Sequence, residues 1–277
     1  MLLRPQHLLS KMFLASGYVC SAGAADFDGT NDWLKLASDF ISNADGTQGI
    51  CSFWVNFASA SSVRRVFYAN GGGTVVIERT AAGKFQVTLK NSGATSSLVF
   101  TGSTTYGIGG IIPVPNNFKH FIASWDTNFS AGNKKCAIYL DGVAETLTVT
   151  DANPAFTIKY TDTAHGVGSD AVGSNKWAGS IGCFYLDNST YIDLSIPENL
   201  LRFRQVYGGV GFPALMGADG SAPTGAQPIV FLNNPYTSFG TNLGYGGGFN
   251  TQGALTVSTP VSPCVLDQGG GPIGLPE

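Results

Sequence analysis

From about residue 25 the apolar positions fall in short runs divided by turn residues, and helical spacing is nearly absent. Residues 84–89 alternate strictly, with Phe85, Val87 and Leu89 on one face and Lys84, Gln86 and Thr88 on the other. That pattern predicts a strand with one wet face. Residues 51–57 also alternate, but Trp54 stands on the second face, so both faces are expected to be covered in part. The runs Cys136 to Leu140 and Val143 to Val149 flank Asp141-Gly142, a pair suited to a two-residue hairpin turn because both positions need positive φ. Further strands are expected at Val63 to Tyr68, Thr74 to Arg79, Leu98 to Phe100, Lys119 to Trp125, Phe156 to Lys159, Gly166 to Gly168 and Ile181 to Leu186. The short connections imply antiparallel order.

Two segments break the pattern. Ile196 to Phe203, with Pro197 and Glu198 in the first turn, predicts a short helix. Residues 197–277 then turn rich in Gly, Pro, Asn and Ser, with one good strand candidate at Pro228 to Leu232, and read as an extension lying against the strands, too poor in apolar residues for a core of its own. Residues 1–24 precede the first strand as an arm, with a short helix expected over His7 to Ala15. Its Leu8, Leu9, Met12, Phe13 and Leu14 are candidate anchors in an assembly. The arm superficially resembles a signal peptide, but Gly17, Tyr18 and Cys20 interrupt its apolar part.

Composition narrows the function classes. Only 12% of the 277 residues are charged against 43% hydrophobic, and the net charge is -3 with no Lys/Arg cluster, which argues against a nucleic-acid partner. No run reaches the roughly 18 to 20 apolar residues of a membrane span. The five cysteines, Cys20, Cys51, Cys136, Cys183 and Cys264, include no C-x-x-C pair, so neither a zinc site nor a full set of intrachain disulfides is indicated. Cys51, Cys136 and Cys183 lie in strand-like runs and read as buried thiols. His7, His120 and His165 are scattered, and the loop Asp162 to Asp170 lacks a defined calcium spacing, so no metal and no cofactor are expected. No G-x-S-x-G elbow appears, and Gly71-Gly72-Gly73 lacks the Lys of a phosphate loop.

The order of several short motifs carries a resemblance. Residues 25–34, Ser52 to Val55, Phe121 to Asp126, Ala137 to Gly142 and Trp177 to Gly182 resemble successive landmarks of concanavalin A-like, laminin G-like domains. The resemblance implies an all-β antiparallel sandwich of the jelly-roll kind over residues 25–196. Glucanases on that sandwich carry an acidic E-x-D-x-E type strand, since retaining hydrolysis needs two carboxyl groups roughly 5 Å apart. This chain has no such strand; Asp26 and Asp28, its nearest approach, read as caps of the opening turn, and no catalytic residue is assigned. Sugar binding remains, with Tyr106, Phe129, Tyr160 and Trp177 near expected loops as candidates beside their alternative role in packing. Residues 217–225, 228–232, 244–249 and 253–255 resemble tails on laminin G-like proteins of tailed bacteriophages. That implies a non-enzymatic virion structural protein, such as a capsid decoration, head-fibre or tail-associated subunit. It would lie at the virion surface, partnered by other virion proteins and copies of itself. The alternatives are an extracellular or surface carbohydrate-binding module and, more weakly, a diverged glycoside hydrolase.

Overall fold

The structure is a computed structural model that describes residues 23–57, 62–70, 72–106, 118–151, 153–207 and 210–258. The arm helix, its five anchor candidates, Cys20 and Cys264 lie outside the described residues. Among the described residues two eight-stranded antiparallel sheets form the body of the molecule, beside a separate two-stranded one. The first is built on β1 (Ala24–Asp28), β3 (Gln48–Val55), β8 (Lys119–Asp126), β9 (Lys135–Leu140), β10 (Val143–Ala144) and β13 (Ala178–Asp187). The second is built on β2 (Trp33–Leu36), β4 (Arg64–Ala69), β5 (Val75–Arg79), β6 (Phe85–Lys90), β7 (Ser97–Gly102), β11 (Leu147–Thr150) and β12 (His165–Val167). With almost no helix among the described residues, this is the antiparallel jelly-roll sandwich that the sequence resemblance implies.

Alternation decides which side chains meet between the sheets. β6 buries every second residue, as its sequence demands, and β3 buries both faces. From β3, Cys51, Phe53 and Val55 point into the main core, where Phe53 stacks on Phe121 at 4.5 Å and Phe85 lies 5.0 Å from Phe121. Ile50, Ser52 and Trp54 alternate to the outer face. There Ile50 joins Ile122, Tyr185, Ile192, Leu194, Phe203, Met216 and Phe231 in a second apolar cluster. The chain after β13 therefore roofs part of the first sheet.

That roof contains the expected helix, α1 (Pro197–Leu200), with proline in its first turn, and a hairpin of β14 (Arg204–Tyr207) and β15 (Val210–Pro213). The remaining chain adds strands to both sheets. β16 (Val230–Leu232) pairs with β13, β17 (Asn250–Gln252) with β2, and β18 (Thr256–Val257) with β1.

Two sequence expectations are corrected. The run Val143 to Val149 is not one strand. It leaves the first sheet after Ala144, and Leu147–Thr150 pairs with β7 of the second sheet. Glu145 makes the change possible, because its carboxylate accepts hydrogen bonds from the Thr104 amide and hydroxyl at 2.8 and 2.6 Å. Phe156 to Lys159 is not a strand either. Its amides bond Thr127, Gly46 and Lys90 in turn, three separate segments, so no ladder forms. The Asp141-Gly142 hairpin is present, with φ of 50° and 81° as its turn type needs.

Candidate functional site

The four aromatic candidates do not form one surface. Trp177 is fully buried, donates its indole N–H to the Asn56 carbonyl at 3.2 Å and stands edge-on to Phe57. Tyr160 is also buried, its hydroxyl donating to Gln48 O and accepting from Trp125 Nε1, both at 2.7 Å. Neither has a face left for a ligand; their rings complete the core. Tyr106 is half-buried against Phe57 and Phe85, its carbonyl accepts two bonds from Arg79, and burial pushes its phenol up to about 12. It anchors the chain after β7.

Phe129 differs, because it is half-buried in the β8–β9 connection beside a cation. β8 ends at Asp126, whose carboxylate accepts from the Asn128 amide at 2.9 Å and Gln48 Nε2 at 2.8 Å. The connection returns through a turn at Ser130 to Asn133, tied down where the Gly132 amide bonds Asp151 at 2.7 Å. Lys134 and Lys135 then point opposite ways, as strand neighbours must. Lys134 turns inward to a buried ion pair with Asp151. Lys135 turns outward with Ala137 and Tyr139, and its ammonium lies 5.1 Å from the ring centroids of both Phe129 and Tyr191. Among the described residues Lys135 makes no salt bridge.

Tyr191 comes to this place from the first turn of the roof. Asp187 folds that turn by accepting from the Ser189 amide and hydroxyl, and the Ile192 amide bonds Ser124 Oγ at 3.0 Å. Burial raises the Tyr191 phenol above its usual range, helped by the charges of Asp193 and Asp126. Asp193 is exposed and held below the usual carboxylate range by hydrogen bonds from Ser195, with a smaller contribution from Lys135. The result is a surface with two half-buried rings, an unpaired ammonium and an exposed carboxylate. Sequence reading found Phe129 but missed Lys135, Tyr191 and Asp193; the i, i+2 spacing of Tyr191 and Asp193 carried no sign that they would meet Phe129.

The carboxylates that could suggest hydrolysis are engaged elsewhere. Asp28 accepts from the amides of Thr30, Asn31 and Asp32, Asp32 from those of Asp28 and Ala254, and Asp26 from Ser180 Oγ. In the loop weighed for calcium, Asp170 bonds Arg65 and the amides of Val172 and Ser174, while His165 lies buried in β12. Among the described residues no group of three His, Cys, Asp or Glu is placed to hold a metal, and no helix is long and apolar enough to cross a membrane. A cavity among Phe40, Phe67, Tyr160, His165 and Asn188 has room for about one water molecule, far less than a sugar.

Residues 28–190, more than half of the chain, match the family model described as the concanavalin A-like lectin/glucanases superfamily. No curated protein sequence matches the chain. Among solved structures, a native heptameric SAP-like pentraxin from Limulus polyphemus aligns over 85% of this chain and 94% of its own, at 10% identity and a TM-score of 0.48. Domains LG4-5 of the mouse laminin alpha1 chain align over 65% and 44%, at 11% identity and a TM-score of 0.40. The CBM40 domain of a Ruminococcus gnavus IT-sialidase, bound to alpha2,3 sialyllactose, aligns over 64% and 95%, at 12% identity and a TM-score of 0.42. At these identities the likeness is one of fold.

Proposed function

Since the chain belongs to the concanavalin A-like lectin/glucanases superfamily, we propose that it is a non-catalytic carbohydrate-binding protein whose sugar surface is the outward face formed by Phe129, Lys135, Tyr191 and Asp193. The family alone does not fix a function. The observation that carries the reading is the Lys135 ammonium held beside two half-buried rings without a salt-bridge partner. A pyranose offers an apolar C–H face and a rim of hydroxyls. The rings suit the first; the lysine donors and the Asp193 acceptor suit the second. The absence of catalysis is supported by the engagement of Asp26, Asp28 and Asp32 with the chain's own donors, since hydrolysis needs an acid and a partner carboxylate free to act on substrate. An extracellular location fits such a role.

A glycan array on the purified chain tests this directly. Phe129→Ala and Tyr191→Ala should each weaken the best ligand by roughly tenfold, the scale of one lost aromatic contact, while Tyr236→Ala in the extension leaves it unchanged. Equal binding by all three variants would rule out this surface, and release of reducing ends from any bound polysaccharide would rule out the non-catalytic role.

A second reading, a structural subunit of a tailed-phage particle with the sandwich exposed, takes support from the roof. Ile196, Leu201, Val206 and Leu215 are 45–54% exposed there within a short stretch of chain. Labelling the chain on purified particles tests it; particles free of the chain would remove the reading.

A further inference from the structure

The sugar surface also carries a charge pattern that speaks to the class of glycan. Lys135 is the cross-strand partner of Asp126, and the two share the outer face at the end of β8 and β9. Asp193 stands two residues beyond Tyr191 and is exposed. Lys134, the neighbouring cation, is turned inward and paired with Asp151, so it lends no positive charge to this face. The aromatic pair is therefore flanked by one cation and two carboxylates. From this arrangement we propose that the surface selects neutral glycans and rejects those ending in a carboxylate or sulfate, with Asp193 as the specificity-determining residue. The inference rests on the carbohydrate-binding reading.

The physical argument is one of balance. An isolated ammonium between two rings would attract an acidic sugar, but a ligand carboxylate reaching Lys135 also approaches Asp193 and Asp126. Hydrogen bonds from Ser195 hold the Asp193 carboxyl below the usual carboxylate range. Asp126 is buried, and its oxygens are fixed by Gln48 and the Asn128 amide, so it cannot swing away. The hydrogen bonds from the Ser195 amide and hydroxyl at 3.0 and 2.7 Å hold Asp193 in place while its second oxygen is left to accept from a sugar hydroxyl. The like-charge arrangement works against the wrong ligand, and the acceptor works for the right one.

The test uses matched pairs on the array, each a neutral oligosaccharide and its counterpart carrying a terminal sialic acid or sulfate. The wild-type chain should bind the neutral member about threefold to tenfold more tightly at low salt, with the gap narrowing as salt screens the repulsion. Asp193→Asn keeps the oxygen that Ser195 bonds and removes the charge, so it should close most of the gap. Acidic members binding as well as neutral ones, or a gap untouched by Asp193→Asn while Phe129→Ala still weakens binding, would overturn the selectivity and leave the sugar surface standing. Binding of neither member at millimolar ligand would bring down the surface itself.

Discussion

At the scale of single residues, the outer face of the first sheet holds a buried histidine in an unfavourable setting. His120 Nε2 lies 2.8 Å from Ser52 Oγ, its Nδ1 has no hydrogen-bond partner, and the Trp54 ring is tilted against it with centroids 4.9 Å apart. Burial, reinforced by Arg204, lowers its pKa to about 3. An unfolded histidine titrates near 6.5, so between that pH and about 3 the unfolded chain binds a proton that the folded chain refuses. The contribution of His120 to stability is full above pH 6.5 and shrinks by up to about 1.4 kcal/mol per pH unit as pH falls through that window. His120→Gln should flatten this slope in urea midpoints measured from pH 7 to 4. An identical slope in both proteins would mean that His120 gains a proton in the folded state. Tyr160 allows a second, opposite kind of test. Tyr160→Phe removes a hydroxyl that joins Trp125 Nε1 to Gln48 O, leaving the buried Trp125 indole N–H without that acceptor. A loss of about 1–3 kcal/mol is expected, with glycan binding unchanged; weaker binding at undiminished stability would return Tyr160 to the ligand surface.

At the scale of elements, the β9–β10 hairpin is fixed by its turn rather than by length, since β10 has only two residues. Asp141 holds φ near 50° and accepts from the His120 amide at 3.0 Å while pairing with Lys119 at 2.6 Å. Gly142 follows at φ 81°. Gly142→Val forces a β-branched residue into that region and should cost about 1–3 kcal/mol. An unchanged melting temperature would count against the turn. Asp141 and Gly142 announce this turn in sequence because the requirement is local. Nothing local announces that the next strand changes sheet, for that depends on Thr104 lying within reach of Glu145. The same distinction explains β17 and β18. Their residues, Asn250–Gln252 and Thr256–Val257, are polar or exposed and show no alternation; they are strands only because β2 and β1 present free edges to them.

At the scale of the whole molecule, the roof over the first sheet joins its inner and outer chemistry. Its buried side, through Ile192, Leu194, Phe203 and Met216, covers Ile50, Ile122 and Tyr185. Its exposed side carries the apolar residues that support a docking role. Replacing Leu201, Val206 and Leu215 together by Ser removes exposed rather than buried area, so the melting temperature should move little. If the roof docks onto other subunits or onto copies of the chain, the triple variant should lose that association in sedimentation or particle incorporation. Intact association would assign these residues to ordinary surface.

The alternation of residues 84–89, the Asp141-Gly142 pair and the Pro-Glu start of α1 are written in the sequence because each answers a constraint spanning only a few residues. From them the antiparallel sandwich follows, and the ordered landmarks from residue 25 to Gly182 lead to its family. The candidate surface is another matter. Phe129, Lys135 and Tyr191 stand on two segments 62 positions apart at the ends, and they meet because β8 and β9 run side by side while the chain after β13 folds back over them. Burial likewise separated Phe129 from Tyr160 and Trp177, three aromatic residues that composition and loop proximity could not tell apart. A side chain's local pattern sets its strand and its face, but whether that face meets core, roof or water is decided by which distant strand lies beside it.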